Sequence, residues 1–149
     1  MKSHKATHDV LRLVDSKTRC LQRFLELTKR FLSTAENGDF SGLNAFEIGR
    51  EAIVKALGMY DRKVNENVIR IPLADRNPTL SHAVQARLNE QGRLLKEIIK
   101  IDQHVMVCIE REKNRVQQEL INSQKRHELA GRFKSSWMPE SGEGLDQKL

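Results

Sequence analysis

The chain has 149 residues, with 31% charged and 5% aromatic side chains, eight glycines and three prolines. That composition gives one core, few turns and long helices, and it disfavours a β-fold or a second sizeable domain. The formal charge of +6 is uneven: residues 1–30 carry eight Lys/Arg against three acids, and 110–134 carry seven against four. Basic segments of this kind attract an acidic partner, an anionic membrane surface or nucleic acid without choosing among them.

No run approaches the roughly 18 apolar residues of a membrane span. Asp9, Arg12, Asp15 and Lys17 interrupt any signal-like apolar stretch at the start. A cytoplasmic location without membrane insertion is therefore expected, with Cys20 and Cys108 as reduced thiols.

The spacing predicts a first helix from Thr7 to Glu36. Leu11, Val14, Thr18, Leu21, Leu25, Thr28, Leu32 and Ala35 follow alternating steps of three and four, and Val10, Phe24, Leu27 and Phe31 widen that seam. Asn37-Gly38 ends it, because these residues tolerate the left-handed geometry of a helix C-terminus. "NGDFS" then leads into helix two, with Asp39 or Ser41 as the capping residue. So short a connection joins antiparallel neighbours.

Helix two spans residues 42–70. Leu43, Phe46, Ile53, Leu57, Tyr60, Val64 and Val68 form its bulky face. Beside them runs a stripe of small residues, with Ala45, Gly49, Ala52 and Ala56 at steps of three and four. Glycine in a helix interior costs on the order of 1 kcal/mol relative to alanine. A shallow face that keeps one lets another helix approach closely. That helix belongs either to the same chain or to a bound partner.

"IPLADRNP" (71–78) reads as a loop, with Asn77 capping helix three and Pro78 at its first position. Helix three has no stop before Gly131. Its seam is expected through Val84, Leu88, Leu95, Ile98, Val105 and Ile109. Unbroken it would be roughly 80 Å long, against roughly 45 Å for helix one, so its second half either overshoots or breaks into a fourth helix. From Glu110 on it is mostly charged, with Val116, Leu120, Ile121 and Leu129 among its few apolar residues. Such a segment docks weakly and is displaceable. The expected architecture is all-α: an elongated antiparallel bundle of three long helices over residues 1–132, with a flexible tail at 133–149.

No chemistry stands out. His4 and His8 at i, i+4 lack a third ligand. Asp102 and Arg50 fall on apolar seams, as a buried ion pair or as edge charges reaching solvent. There is no Gly-rich phosphate loop, no nucleophile with a base, and no paired carboxylates. No catalytic, cofactor or metal residues are expected. In "EREKNR" and "QKRHE" the basic residues alternate with acids or polar residues instead of forming a stripe, which weighs against nucleic acid.

Two stretches carry a family likeness. "LSTAENGDFSGLNAFEIGREAIVKAL" joins the first two helices through a polar Gly-Asp-aromatic turn. "EREKNRVQQELINSQKRHELAGRF" leads through a Lys/Ser/Pro linker to a terminal "LDQKL". With them the chain resembles the small flagellar type III export chaperones, nearer the FliT type than the FlgN type. The resemblance implies a cytoplasmic, non-enzymatic chaperone. It would bind the aggregation-prone terminal helix of a flagellar axial protein, of the filament-cap or hook-junction kind, and deliver it to the export apparatus.

On that reading Ala45, Gly49, Ala52 and Ala56 form part of a client groove. Val116, Leu120, Ile121 and Leu129 belong to the segment that competes for it. A homodimer is compatible with the pattern. The alternative is a general helical adaptor or a nucleic-acid-binding bundle using the basic ends.

Overall fold

The computed structural model describes the backbone of residues 2–137 and the side chains of residues 5–133. Three α-helices carry the fold: α1 (Lys2–Glu36), α2 (Leu43–Ile69) and α3 (Pro78–Trp137), with a 3-10 turn at Leu73–Asp75. The expected all-α class holds. Contacts divide the chain into Met1–Cys108 and Ile109–Leu149. The first unit holds the helix bundle, and in the second every described residue beyond Glu112 is exposed.

The turn between α1 and α2 follows from Asn37-Gly38. Gly38 takes φ 81°, its N–H donates to the Ala35 carbonyl, and the Asp39 N–H donates to that of Thr34. This is the pair of hydrogen bonds of a glycine-terminated helix, satisfying carbonyls that the helix leaves open. Neither expected cap serves α2. Its N-cap is Gly42, with no side-chain bond. Asp39 instead accepts from the Ser41 hydroxyl at 2.6 Å and the Ser41 N–H at 3.0 Å. Those two bonds, the hydroxyl's first, hold its carboxyl below the ordinary carboxylate range. The carboxylate closes a local turn two residues on, which places it before the helix rather than at its end. Phe31 stacks on Phe46 at 4.5 Å and meets Phe40 edge-on at 6.2 Å, pinning this end of the bundle.

The middle of the core packs Leu21, Phe24 and Leu25 of α1 against Leu94 and Ile98 of α3, with Ile53, Leu57 and Ile101 around them. Burying each such side chain contributes about 1.5–3 kcal/mol. At the other end Val10 and Val14 close on Ile71, flanked by Ala6, Val64 and Leu80.

Ile71 is 4% exposed although it sits in the connection. It is held there by its own N–H donating to Val68 and by Arg76, whose Nε donates to the Ile71 carbonyl and Nη2 to that of Val68. Asn77 Oδ1 accepts from the Leu80 N–H at 2.9 Å, so α3 starts at Pro78 with the expected cap.

Within the first unit α3 buries Gln91, Leu94, Ile98 and Val105. This corrects the expected seam, since Leu88 and Leu95 are exposed. Two polar contacts choose the face. Gln91 Nε2 donates to the Val14 carbonyl and the Thr18 hydroxyl, and Arg87 pairs with Asp15 at 2.7 Å. Of the two expectations for helix three, the uninterrupted one holds through Trp137. Gly131 does not stop it, because a single interior glycine costs on the order of 1 kcal/mol and the residues after it tolerate a helix. Residues 133–137 of the expected tail are thus helical, and 138–149 lie outside the described residues.

Candidate functional site

The small residues of α2 divide between two situations. Gly49 lies under α1: a Cβ there would stand 3.1 Å from Leu27 Cδ2. Ala52 and Ala56 line a shallow pocket of about 290 Å³ with Cys20, Arg19 and Tyr60. Ala45 and Ala52 are exposed, and Ala56 is half-buried. The stripe therefore seats α1 at one position and leaves surface at the others.

A larger groove opens where α2 ends and α3 begins. Its volume is about 750 Å³. Val10, Val14 and Ile71 form its apolar floor, and Val64, Val68, Val84 and Leu88 its walls. The floor residues are buried, whereas Val68 and Leu88 reach solvent. Asp61, Asn65, Arg76 and Gln85 add a polar fringe. The composition suits an apolar helix face with polar shoulders.

The sequence reading missed this groove because it placed residues 71–78 outside the core. A usable signal was present, an apolar residue directly after the end of α2, where helix termini commonly make a hydrophobic contact.

Val116, Leu120, Ile121 and Leu129 are all exposed on α3. Around them the charges are locally paired. Arg115 bonds Glu112 and Glu119, both at 2.6 Å. That hydrogen bonding holds the Glu112 carboxyl below its ordinary value, and the second unit presents a mixed face.

Arg50 and Asp102 meet across α2 and α3, Nη2 to Oδ2 at 3.1 Å. Both are partly exposed, which resolves the two sequence readings in favour of an edge pair. Asp102 Oδ1 is sealed from solvent and accepts no hydrogen bond.

Cys20 is buried, Cys108 half-buried, and both are free thiols. Burial pushes the Cys20 thiol up, opposed by the nearby charge of Arg23. Among the described residues no group of three or more His, Cys, Asp or Glu could hold a metal ion. His8 is exposed, and the His4 side chain lies outside the described residues. Among the described residues no helix is long and apolar enough to cross a membrane.

Residues 18–134 match the model of the family described as Flagellar protein FliT. Neither a curated protein nor a solved structure matches the chain.

Proposed function

This chain belongs to the FliT family of flagellar proteins, and on that premise we propose that it is a cytoplasmic export chaperone for a flagellar axial protein of the filament-cap or hook-junction class. A chaperone role in flagellar assembly comes with the family. The client, the handover to the export apparatus and the binding surface are additions of this reading.

An axial protein's terminal segment is apolar on one face until it assembles, and an amphipathic groove covers that face. The observation that carries the reading is the α2–α3 groove, whose apolar floor of Val10, Val14 and Ile71 lies between rims that reach solvent. Affinity comes from a few anchors, less the ordering cost of the client. The small stripe is the second surface, favoured by the shallow pocket beside Ala52 and Ala56. There Ala45, Ala52 and Ala56 receive the client, Gly49 of the expected set being held beneath Leu27 of α1, and Val116, Leu120, Ile121 and Leu129 compete with it.

Titration with a synthetic terminal-helix peptide of the cap protein from the same cell tests this. Val68→Lys, on the exposed rim, weakens binding at least about tenfold with unchanged melting, as loss of one buried anchor does. A peptide that does not bind defeats the chaperone reading for that client. Loss through Ala52→Lys with Val68→Lys silent moves the client to the small stripe.

A further inference from the structure

α1 holds a row of cations that the bundle leaves without counter-charges. Lys5, Arg12, Arg19, Arg23 and Arg30 fall within about 40° of arc on the helix, along a line of about 38 Å, and all five are exposed. Among the described residues Arg12 alone of them enters an ion pair, with Asp9 at 3.7 Å. Arg19 donates to the Ser16 hydroxyl at 2.9 Å. Glu26 stands beside the row and bridges to none of its members. Other charges of the same helix are taken up inside the bundle: Lys17 reaches Asp61 of α2, Lys29 reaches Glu97 of α3, and Asp15 holds Arg87. The row is an unneutralised line of positive charge on one face, and it attracts an extended anion.

We infer that this face binds an acidic α-helix of a partner protein, laid along α1 with carboxylates on Arg12, Arg19, Arg23 and Arg30 and an apolar side chain between α1 and α2. A helix beside α1 climbs at the same rate, about 1.5 Å per residue, so carboxylates at steps of seven, four and seven stay opposite the four arginines. That order reads the same from either end, so the partner fits in both directions. Each guanidinium can donate two parallel bonds to a carboxylate. Between its two middle cations the row opens on the pocket of about 290 Å³, which Arg19 and Arg23 line together with Ala52, Ile53 and Ala56. A helix fills such a pocket with one apolar anchor.

Other anions use the face less well. A bilayer surface holds an amphipathic helix by inserted apolar side chains, and among the described residues of α1 no apolar side chain is exposed. Single-stranded nucleic acid stacks its bases on aromatic side chains beside the cations, and both aromatics of α1, Phe24 and Phe31, are buried.

The pocket is shared with the second surface of the client reading, but the inference does not rest on that reading, because the probe is a designed helix and no client enters the measurement. The probe is a fluorescent alanine-rich peptide with glutamates at steps of seven, four and seven and Glu-Leu-Ala-Leu-Glu at its centre. The full chain binds it, more weakly as salt rises. A peptide of the same composition with its glutamates scrambled binds at least about tenfold more weakly. Arg19→Glu/Arg23→Glu and, separately, Arg12→Glu/Arg30→Glu each weaken binding of the patterned peptide at least about tenfold with unchanged melting, since these side chains are exposed. Val68→Lys, in the α2–α3 groove, binds it as the parent does. Equal binding of the scrambled peptide reports charge attraction without a site and overturns the inference. So does no binding at all, loss through Val68→Lys, or tighter binding of duplex DNA or phosphatidylglycerol vesicles than of the patterned peptide.

Discussion

Gly49 of α2 sits beneath Leu27 of α1, so close that an added Cβ would lie 3.1 Å from Leu27 Cδ2 and 3.6 Å from Cδ1. The nearest atoms are the far end of a half-buried, flexible side chain. Gly49→Ala thus trades a gain in helix propensity of about 1 kcal/mol against a small displacement of Leu27, and is expected near neutral. Gly49→Leu has no such room and is expected to destabilise by about 1–3 kcal/mol.

Gly58 is the control: nothing lies within 4 Å of its added Cβ. Gly58→Ala should raise the melting temperature by about 2–4 °C for each kcal/mol gained. Urea denaturation of the three variants checks all the signs. A strongly destabilised Gly49→Ala would mean that Leu27 cannot yield.

How far the fold was readable differs element by element. The end of α1 and the start of α3 were legible because each depends on two adjacent residues, Asn37-Gly38 and Asn77-Pro78, whose local chemistry needs no tertiary context. The face of α3 was not. Leu94–Ile98–Val105 and Leu88–Leu95–Ile99–Met106 are apolar stripes one residue apart, and periodicity alone cannot rank them. Gln91, a polar residue on the buried stripe, ranks them through its bonds to Val14 and Thr18. The α2–α3 groove was equally hidden, since its floor needs Ile71, which reads as loop.

Gln91 therefore supports a test with a pH sign. Its side chain is 3% exposed and donates to the Val14 carbonyl at 3.0 Å. Gln91→Glu places an acceptor-only carboxylate against that carbonyl at neutral pH. Burial and repulsion raise the folded-state pKa of the introduced carboxyl above its unfolded value. The variant's stability is therefore closest to the parent's below about pH 4, the unfolded glutamate range. It falls away as pH rises through the folded value. Thermal melts of parent and variant from acid to neutral pH should diverge upward in pH. Parallel curves would mean that the carboxylate escapes to solvent.

The two thiols should react at different rates. Burial raises the Cys20 pKa, and its Sγ lies 3.9 Å from the Ile53 carbonyl, so thiolate is scarce and access is poor. Cys108 is half-buried on α3. A disulfide-exchange reagent at neutral pH should modify Cys108 first, with Cys20 following only on local opening. Cys20→Ser and Cys108→Ser chains assign the two phases. Because the folded-state pKa of Cys20 is raised, its contribution to stability is complete below the unfolded thiol range near pH 8.5. That contribution declines as pH rises further. Equal labelling rates would contradict the buried placement.

Removing the second unit is the most demanding test of how the bundle is held. The buried apolar residues run from Val10 to Val105, and the described positions from Lys113 to Phe133 are all exposed. A chain ending at Ile109 thus keeps every buried contact of the core, the Arg50–Asp102 pair and the whole α2–α3 groove. It should remain helical, melt cooperatively and bind the terminal-helix peptide at least as tightly as the full chain.

Circular dichroism melts of both chains, with peptide titration of each, measure both outcomes. A truncated chain that melts without cooperativity would show that residues 110–133 support the bundle, contrary to their exposure. One that folds but binds the peptide more weakly would place client contacts on Val116, Leu120, Ile121 or Leu129.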